Sequence, residues 1–310
     1  MSDLDTMLGD HIEVIDRSFG ALVLKNSHLD TLWTGGRWLE GPAWFGDSRT
    51  LLFSDIPNDR MLRYDAITGT VAEFRTPSDN SNGNTRDRQG RLVTCEHRTR
   101  RVTRTEHDGT LTVLADRFAG KRLNSPNDVV VSADGAIWFT DPTYGIDSDY
   151  EGDAASSEIG ASHLYRMDPQ TGEVAIAADD FAKPNGLAFS PDESRLYVAD
   201  TGATHQPDGP RHIRVFEMSS DGALHGGKVF STCNAGLYDG FRLDGHGNIW
   251  TSAGDGVHCL NPDGALIGKI RIPETVANVC FGGLKRNRLY ICATRTLFAT
   301  YLNTTGLPYF

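Results

Sequence analysis

The sequence predicts an all-β fold: a six-bladed propeller with four antiparallel strands per blade, its ring closed by an N-terminal strand. Three observations predict it. An internal repeat occurs six times, the spacing inside each repeat is nearly constant, and short apolar runs alternate with turn residues. The six segments are EGPAWFGDSRTLLFSD from Glu40, NGNTRDRQGRLVTCEH from Asn82, NDVVVSADGAIWFTDP from Asn127, NGLAFSPDESRLYVAD from Asn185, DGFRLDGHGNIWTSAG from Asp239 and ANVCFGGLKRNRLYICAT from Ala277. Each has a leading residue, an apolar run, a turn and a second run, which starts 9 to 11 residues after the leading one. The mean period is about 47 residues. A β-sandwich is also built of short strands, but nothing in a sandwich requires a constant offset in every unit.

The elements of each blade follow in order. The first two runs are β-branched and aromatic, and the turns between them (GDS, RQG, ADG, PDES, GHG, KRN) are rich in Gly, Asp, Asn and Pro, so each pair reads as a hairpin. A third run follows in every repeat, such as MLRYDAITG and HLYRMDPQTG, and a fourth in the first five, such as VAEFRTP and EVAIAADDF. The sixth repeat lacks its outer strand. LDTLWTG, residues 29–35, has strand character and stands just before the first blade. Completing blade six with it removes an unprotected edge. The chain therefore reads as one domain over residues 1–310, with an N-terminal extension over roughly 1–28.

Composition narrows the partners. Lys and Arg total 30 against 41 Asp and Glu, a formal charge of -11, which argues against nucleic acid and anionic membrane. No apolar run approaches the roughly 20 residues of a membrane span, and the opening MSDLDTMLGDHIEVIDRS is acidic where a signal peptide is basic then apolar. The expected location is cytoplasmic. Cys95, Cys233, Cys259, Cys280 and Cys292 are scattered without a C-x-x-C pair, so they read as buried apolar side chains.

In a propeller the first strand of each blade lines the central channel, and the six leading residues converge at one mouth. Five of them, Glu40, Asn82, Asn127, Asn185 and Asp239, carry a side-chain oxygen, although Asp, Glu and Asn make up only about 18% of the sequence. Carboxylates with amide carbonyls are the ligand set of a hard cation. The loops between the second and third strands lie on the same face, and the two longest, residues 142–162 and 202–211, are polar excursions suited to binding. The candidate substrate contacts are Asn82 and Asn127 at the mouth, with His97, Tyr144 and His205 around it. Asp55, Asp141 and Asp200 end second strands in a repeated pattern that points to capping of backbone amides. No G-x-S-x-G, P-loop, H-E-x-x-H or strand-associated G-x-G-x-x-G is present.

The motifs EGPAW, LLFSDIPNDRMLRYD, SPNDVVVSADGAIWFTDPTYG, KPNGLAFSPDESRLYVADT, YDGFRLDGHGNIW and CFGG, in that order, resemble the senescence marker protein / gluconolactonase / luciferin-regenerating enzyme family, and bacterial gluconolactonases most of all. The resemblance extends over nearly the whole chain from about residue 30. It implies one divalent cation at the channel mouth, Ca²⁺ in preference to Mg²⁺, Mn²⁺ or Zn²⁺. Glu40, Asn185 and Asp239 match the family's metal ligands, and Asn127 matches a residue that contacts metal or substrate. The arginine that some animal members place two residues before the last of these is Ser125 here, with Arg122 a nearby substitute. The implied activity is hydrolysis of a sugar lactone, the cation polarising the ring carbonyl and Asp239 acting as general base or nucleophile. The alternatives are a metal-dependent esterase or phosphotriesterase, and a metal-stabilised propeller that binds a ligand without turning it over.

Overall fold

The structure, a computed structural model, describes residues 9–219 and 221–307. Six antiparallel blades follow one another along the chain, with a two-stranded ribbon, Arg117–Phe118 and Lys121–Arg122, between the second and third. The first blade runs Leu39–Phe45, Thr50–Asp55, Arg60–Asp65 and Thr70–Arg75 in neighbouring order. The inner strands form a closed ring: Leu39–Phe45 touches Ser81–Arg86, and contact continues through Val129–Val131, Pro184–Phe189, Phe241–Leu243 and Val276–Gly282 back to Leu39–Phe45. No helix among the described residues is long and apolar enough to cross a membrane.

Because blades stack face against face, both faces of the inner and middle strands are covered. Thr50–Asp55 and Ile249–Ala253 are buried at every residue. Apolar side chains of neighbouring blades meet in continuous clusters, with Trp138, Trp250, Tyr165 and Tyr290 fully buried. The five cysteines are buried and free, as their scatter suggested.

Ring closure follows the expected route. Asp30–Thr34 is the outer strand of blade six, antiparallel to Thr296–Tyr301, with Thr31 opposite Phe298 and Trp33 opposite Leu297. Arg288 reaches across the blade to Asp30, Nη2 to Oδ2, at 2.9 Å. The segment read as an N-terminal extension also contributes to a blade. Ile12–Val14 pairs with Leu266–Arg271 as a fifth strand on blade five. After it, a turn of 3-10 helix, Arg17–Ala21, is capped by Asp16, whose Oδ1 accepts from the Ser18 N–H at 2.8 Å. This turn drives Phe19 into the core, its ring 5.7 Å from that of Trp250. The blade makes room for the ring with Gly268, where a Cβ would come within 2.1 Å of Phe19.

The aspartates that end second strands hold the approach to the leading residues. Asp55 accepts from the N–H of Arg37, Asp141 from those of Asn124 and Ser125, and Asp200 from those of Ala182 and Lys183. In each case the pinned amides lie two or three residues before Glu40, Asn127 or Asn185. These three blades thereby fix where their leading residues enter the channel.

Phe19→Ala is expected to destabilise the protein by about 3–4 kcal/mol, the cost of emptying a fully buried aromatic site. Its denaturant midpoint set beside that of the wild type measures this. A shift of a few tenths would mean that the N-terminal segment contributes nothing to the core.

Candidate active site

The leading residues stand where inner strands begin irregularly. The ladder slips between Glu40 and Ala43, Ser81 and Asn84, Pro184 and Leu187, and Val276 and Asn278. Bulges of this kind turn a side chain away from the sheet plane and, here, toward the axis. Glycine follows the leading residue in four blades, as Gly41, Gly83, Gly186 and Gly240. At Gly186 a Cβ would lie 2.2 Å from the backbone oxygen of Asp239, and at Gly83 it would lie 2.4 Å from that of Asn127. These glycines let adjacent inner strands approach closely enough for the Gly83 N–H to donate to the Asn127 carbonyl at 2.7 Å.

A cavity of about 310 Å³ opens at this mouth, lined by all five oxygen-bearing leading residues. Glu40 accepts two hydrogen bonds on Oε2, from the Gly41 N–H at 2.6 Å and from Asn278 Nδ2 at 2.9 Å, which leaves Oε1 to the cavity. Asn185 donates through Nδ2 to Thr201 Oγ1 at 3.1 Å, which leaves its Oδ1 likewise. Asn82 Oδ1 and Asp239 Oδ1 are buried without a hydrogen-bond partner. An unpaired buried acceptor costs on the order of 1–3 kcal/mol, so these two atoms mark a place shaped for something that binds oxygen.

A family model described as the SMP-30/gluconolactonase/LRE-like region matches residues 38–295. The chain belongs to this family. It is 30% identical to the gluconolactonase of Zymomonas mobilis over 92% of this chain and 84% of that one. It is 29% identical to a pentonolactonase of Haloferax volcanii, over 83% of this chain and 82% of the other. Among solved structures, a gluconolactonase from Xanthomonas campestris superposes with a TM-score of 0.88 at 40% identity, covering 94% of each chain. Regucalcin of Agrobacterium tumefaciens, with a TM-score of 0.73 and 20% identity, shares the fold.

In this family member the mouth is acidic, and its carboxyls are buried. Burial raises the Glu40 carboxyl to about 7, and nearby Asp128 adds to the rise against the hydrogen bonds from Asn278 and Gly41. Burial also lifts Asp239 well above the ordinary carboxylate range, with Glu40, Asp128 and Glu151 pushing the same way. Asp128 sits one residue past Asn127, fully buried and raised by burial, with Arg242 Nη1 at 3.7 Å from its Oδ2. Among the described residues no group of three or more His, Cys, Asp or Glu is gathered as a metal cluster. The donor set is instead two carboxylates, Glu40 and Asp239, with the amides Asn82, Asn127 and Asn185. All are hard oxygen donors, and the mutual repulsion and the two orphaned oxygens suit a divalent cation.

The surrounding residues divide. Tyr144 lines the cavity, its hydroxyl 2.8 Å from both Thr201 Oγ1 and Thr204 Oγ1. His205 stands behind Tyr144, with ring centroids 5.7 Å apart, and its Nε2 lies 3.3 Å from Asp147 Oδ2; it is not part of the lining. His97 is fully buried and also outside the lining. Its Nδ1 lies 3.1 Å from the Glu151 carbonyl and its Nε2 3.1 Å from Asn82 Nδ2. The carbonyl can only accept, so Nδ1 carries the proton, Nε2 accepts from the Asn82 amide, and Asn82 Oδ1 is turned to the cavity. Arg122 is directed elsewhere, its Nη2 bonding the Thr99 carbonyl. Ala277, the sixth leading residue, offers only its backbone, and the neighbouring Asn278 supplies the polar contact instead. Sequence reasoning missed Asn278, Thr201, Thr204 and Glu151. The polar residue after Ala277 was a signal for the first, and the length of the 142–162 loop was a signal for the last.

Burial lowers His97 from 6.5 to about 4. The unfolded chain takes up this proton near 6.5 and the folded chain only near 4, so stability is full above 6.5 and declines as pH falls toward 4. Between pH 8 and pH 5 the wild type is expected to lose roughly 2 kcal/mol more than His97→Gln, read from urea midpoints. Parallel losses in the two proteins would show that His97 is not held neutral.

Proposed function

We propose that the protein is a lactonase of the gluconolactonase type, opening the ring ester of a sugar lactone with the help of a divalent cation. The observation that carries this reading is the unpartnered, buried Asp239 Oδ1 facing a cavity of about 310 Å³ among four further oxygen donors. The lactonase names of relatives aligned over most of the chain support it.

Glu40, Asn127, Asn185 and Asp239 would hold the cation, Ca²⁺ by the hardness of their oxygens, and Asn82 and Asn127 face the substrate side. What a cation so held supplies is polarisation of the ring carbonyl and charge balance for the oxyanion. The remaining work falls to the chain's own groups. Asp239 takes a proton from the water that bonds to the carbonyl carbon, or bonds to that carbon itself and is later released by water. In either route the bond from carbonyl carbon to ring oxygen breaks, the ring oxygen gains a proton, and the product is the open hydroxy acid. Glu40 is held by Gly41 and Asn278, Asn82 by His97 and Asn185 by Thr201, so the centre is preorganised before substrate arrives. Tyr144, Trp38 and Ile56, which line the same cavity, would restrict water around the bound ring.

Acid release from a panel of sugar lactones, before and after chelation and with Ca²⁺ restored, tests the reading. Chelation is expected to abolish most turnover and to lower the thermal midpoint, and Ca²⁺ to restore both. Restored stability without any lactone turnover would favour the binding propeller. Asp239→Asn keeps the side-chain shape and removes the base. It is expected to lower kcat by about a hundredfold or more while the fold persists. Turnover near wild type would remove Asp239 from the chemistry.

A further inference from the structure

We propose that Glu151 is the residue by which this site selects neutral, hydroxyl-bearing lactones, its carboxylate accepting hydrogen bonds from the substrate's ring hydroxyls. The proposal rests on the lactonase reading and deepens it. Three charged residues line the cavity, all acidic: Glu40, Asp239 and Glu151. Glu40 lies on an inner strand and Asp239 just before one, and both belong to the reacting centre. Glu151 comes from the loop between Ile137–Asp141 and Ser162–Met167, and nothing in the hydrolytic step uses it.

Its carboxylate is half-buried, and among the described residues it has no hydrogen-bond or ion-pair partner. The hydroxyls of Thr201, Thr204 and Tyr144 in the same lining bond one another, and Thr204 Oγ1 also donates to the Thr201 carbonyl at 2.9 Å. The backbone that carries Glu151 is nonetheless held firmly. Its carbonyl accepts from His97 Nδ1, the Ala155 N–H reaches the Ile146 carbonyl at 3.0 Å, and the Ala154 N–H reaches Asp149 Oδ1 at 2.8 Å. At Gly152 a Cβ would meet the Gly145 carbonyl at 2.1 Å, so the loop lies directly against the turn that carries Tyr144. A fixed acceptor without a protein donor, facing a cavity of about 310 Å³, is built for donors that arrive with the ligand. The adjacent hydroxyls of a sugar lactone are such donors. A lactone without them leaves the carboxylate unpaired, and a lactone bearing an anionic group meets three acidic residues with no Lys or Arg in the lining.

The test measures kcat/KM of wild type, Glu151→Ala and Glu151→Gln on gluconolactone, on δ-valerolactone, which has no hydroxyls, and on gluconolactone carrying a terminal phosphate, each with Ca²⁺ present. The ratio of gluconolactone to δ-valerolactone is expected to fall by about tenfold or more in Glu151→Ala, chiefly through KM. Glu151→Gln, which keeps an acceptor and loses the charge, should retain part of that ratio and gain on the phosphorylated lactone relative to wild type. Equal losses on both neutral lactones would overturn the proposal by moving Glu151 to the reacting carbonyl, and an unchanged ratio would overturn it by removing Glu151 from the substrate. Both outcomes leave the lactonase reading standing. A wild type that opens no lactone would overturn that reading and this proposal with it.

Discussion

Five side-chain oxygens on five blades must be held within one small mouth, although two belong to carboxylates that repel each other where water is scarce. Much of the molecule can be understood as the means of holding them. The bulges aim the leading residues inward, the glycines after them let inner strands close ranks, and the strand-ending aspartates fix the entry of Glu40, Asn127 and Asn185. Arg242 places one positive charge beside Asp128, 3.7 Å away, and the rest of the negative potential stays at the mouth. An open sheet would relieve that repulsion by spreading. A closed ring of packed blades cannot, and so burial and this repulsion together show themselves in the raised Glu40 and Asp239 carboxyls.

The site divides between rigid and adaptable parts. Glu40, Asn82 and Asn185 lie on inner strands, and Asn127 and Asp239 stand just before theirs, where the backbone is closely packed. Three other residues of the lining, Tyr144, Thr204 and Glu151, lie on connections between second and third strands. Such a division lets one hydrolytic centre serve different ring esters by changing loops alone, in keeping with gluconolactone and pentonolactone both appearing in the names of its relatives.

The ring and its leading residues were legible in the sequence because a propeller writes them periodically. A residue such as Asn185 recurs in register with Asn127 and Asn82, and Asp30–Thr34 was visible as a strand without a blade. What has no period was hidden. Phe19 and Ile12–Val14 attach to blade five by shape, through a glycine that looks like any other in the sequence. His97, expected as a substrate contact, lies one layer behind the lining, because the spacing of a strand end says nothing about which of its side chains the next loop covers. Glu151 is one of several acidic residues in a polar loop, and only three-dimensional packing separates it from its neighbours.

The hydrogen bond from Asn278 to Glu40 joins residues 238 positions apart, and the outer strand of blade six pairs the N-terminal region with Thr296–Tyr301. On the ribosome, therefore, blade one emerges with its acidic residue unsupported and its flank open, and waits for nearly the whole chain. The centre is completed in a single late event, when the sixth blade meets Asp30–Thr34, made long before it. Contacts of such long sequence separation make folding slow, and they leave no partially built ring able to act on a substrate.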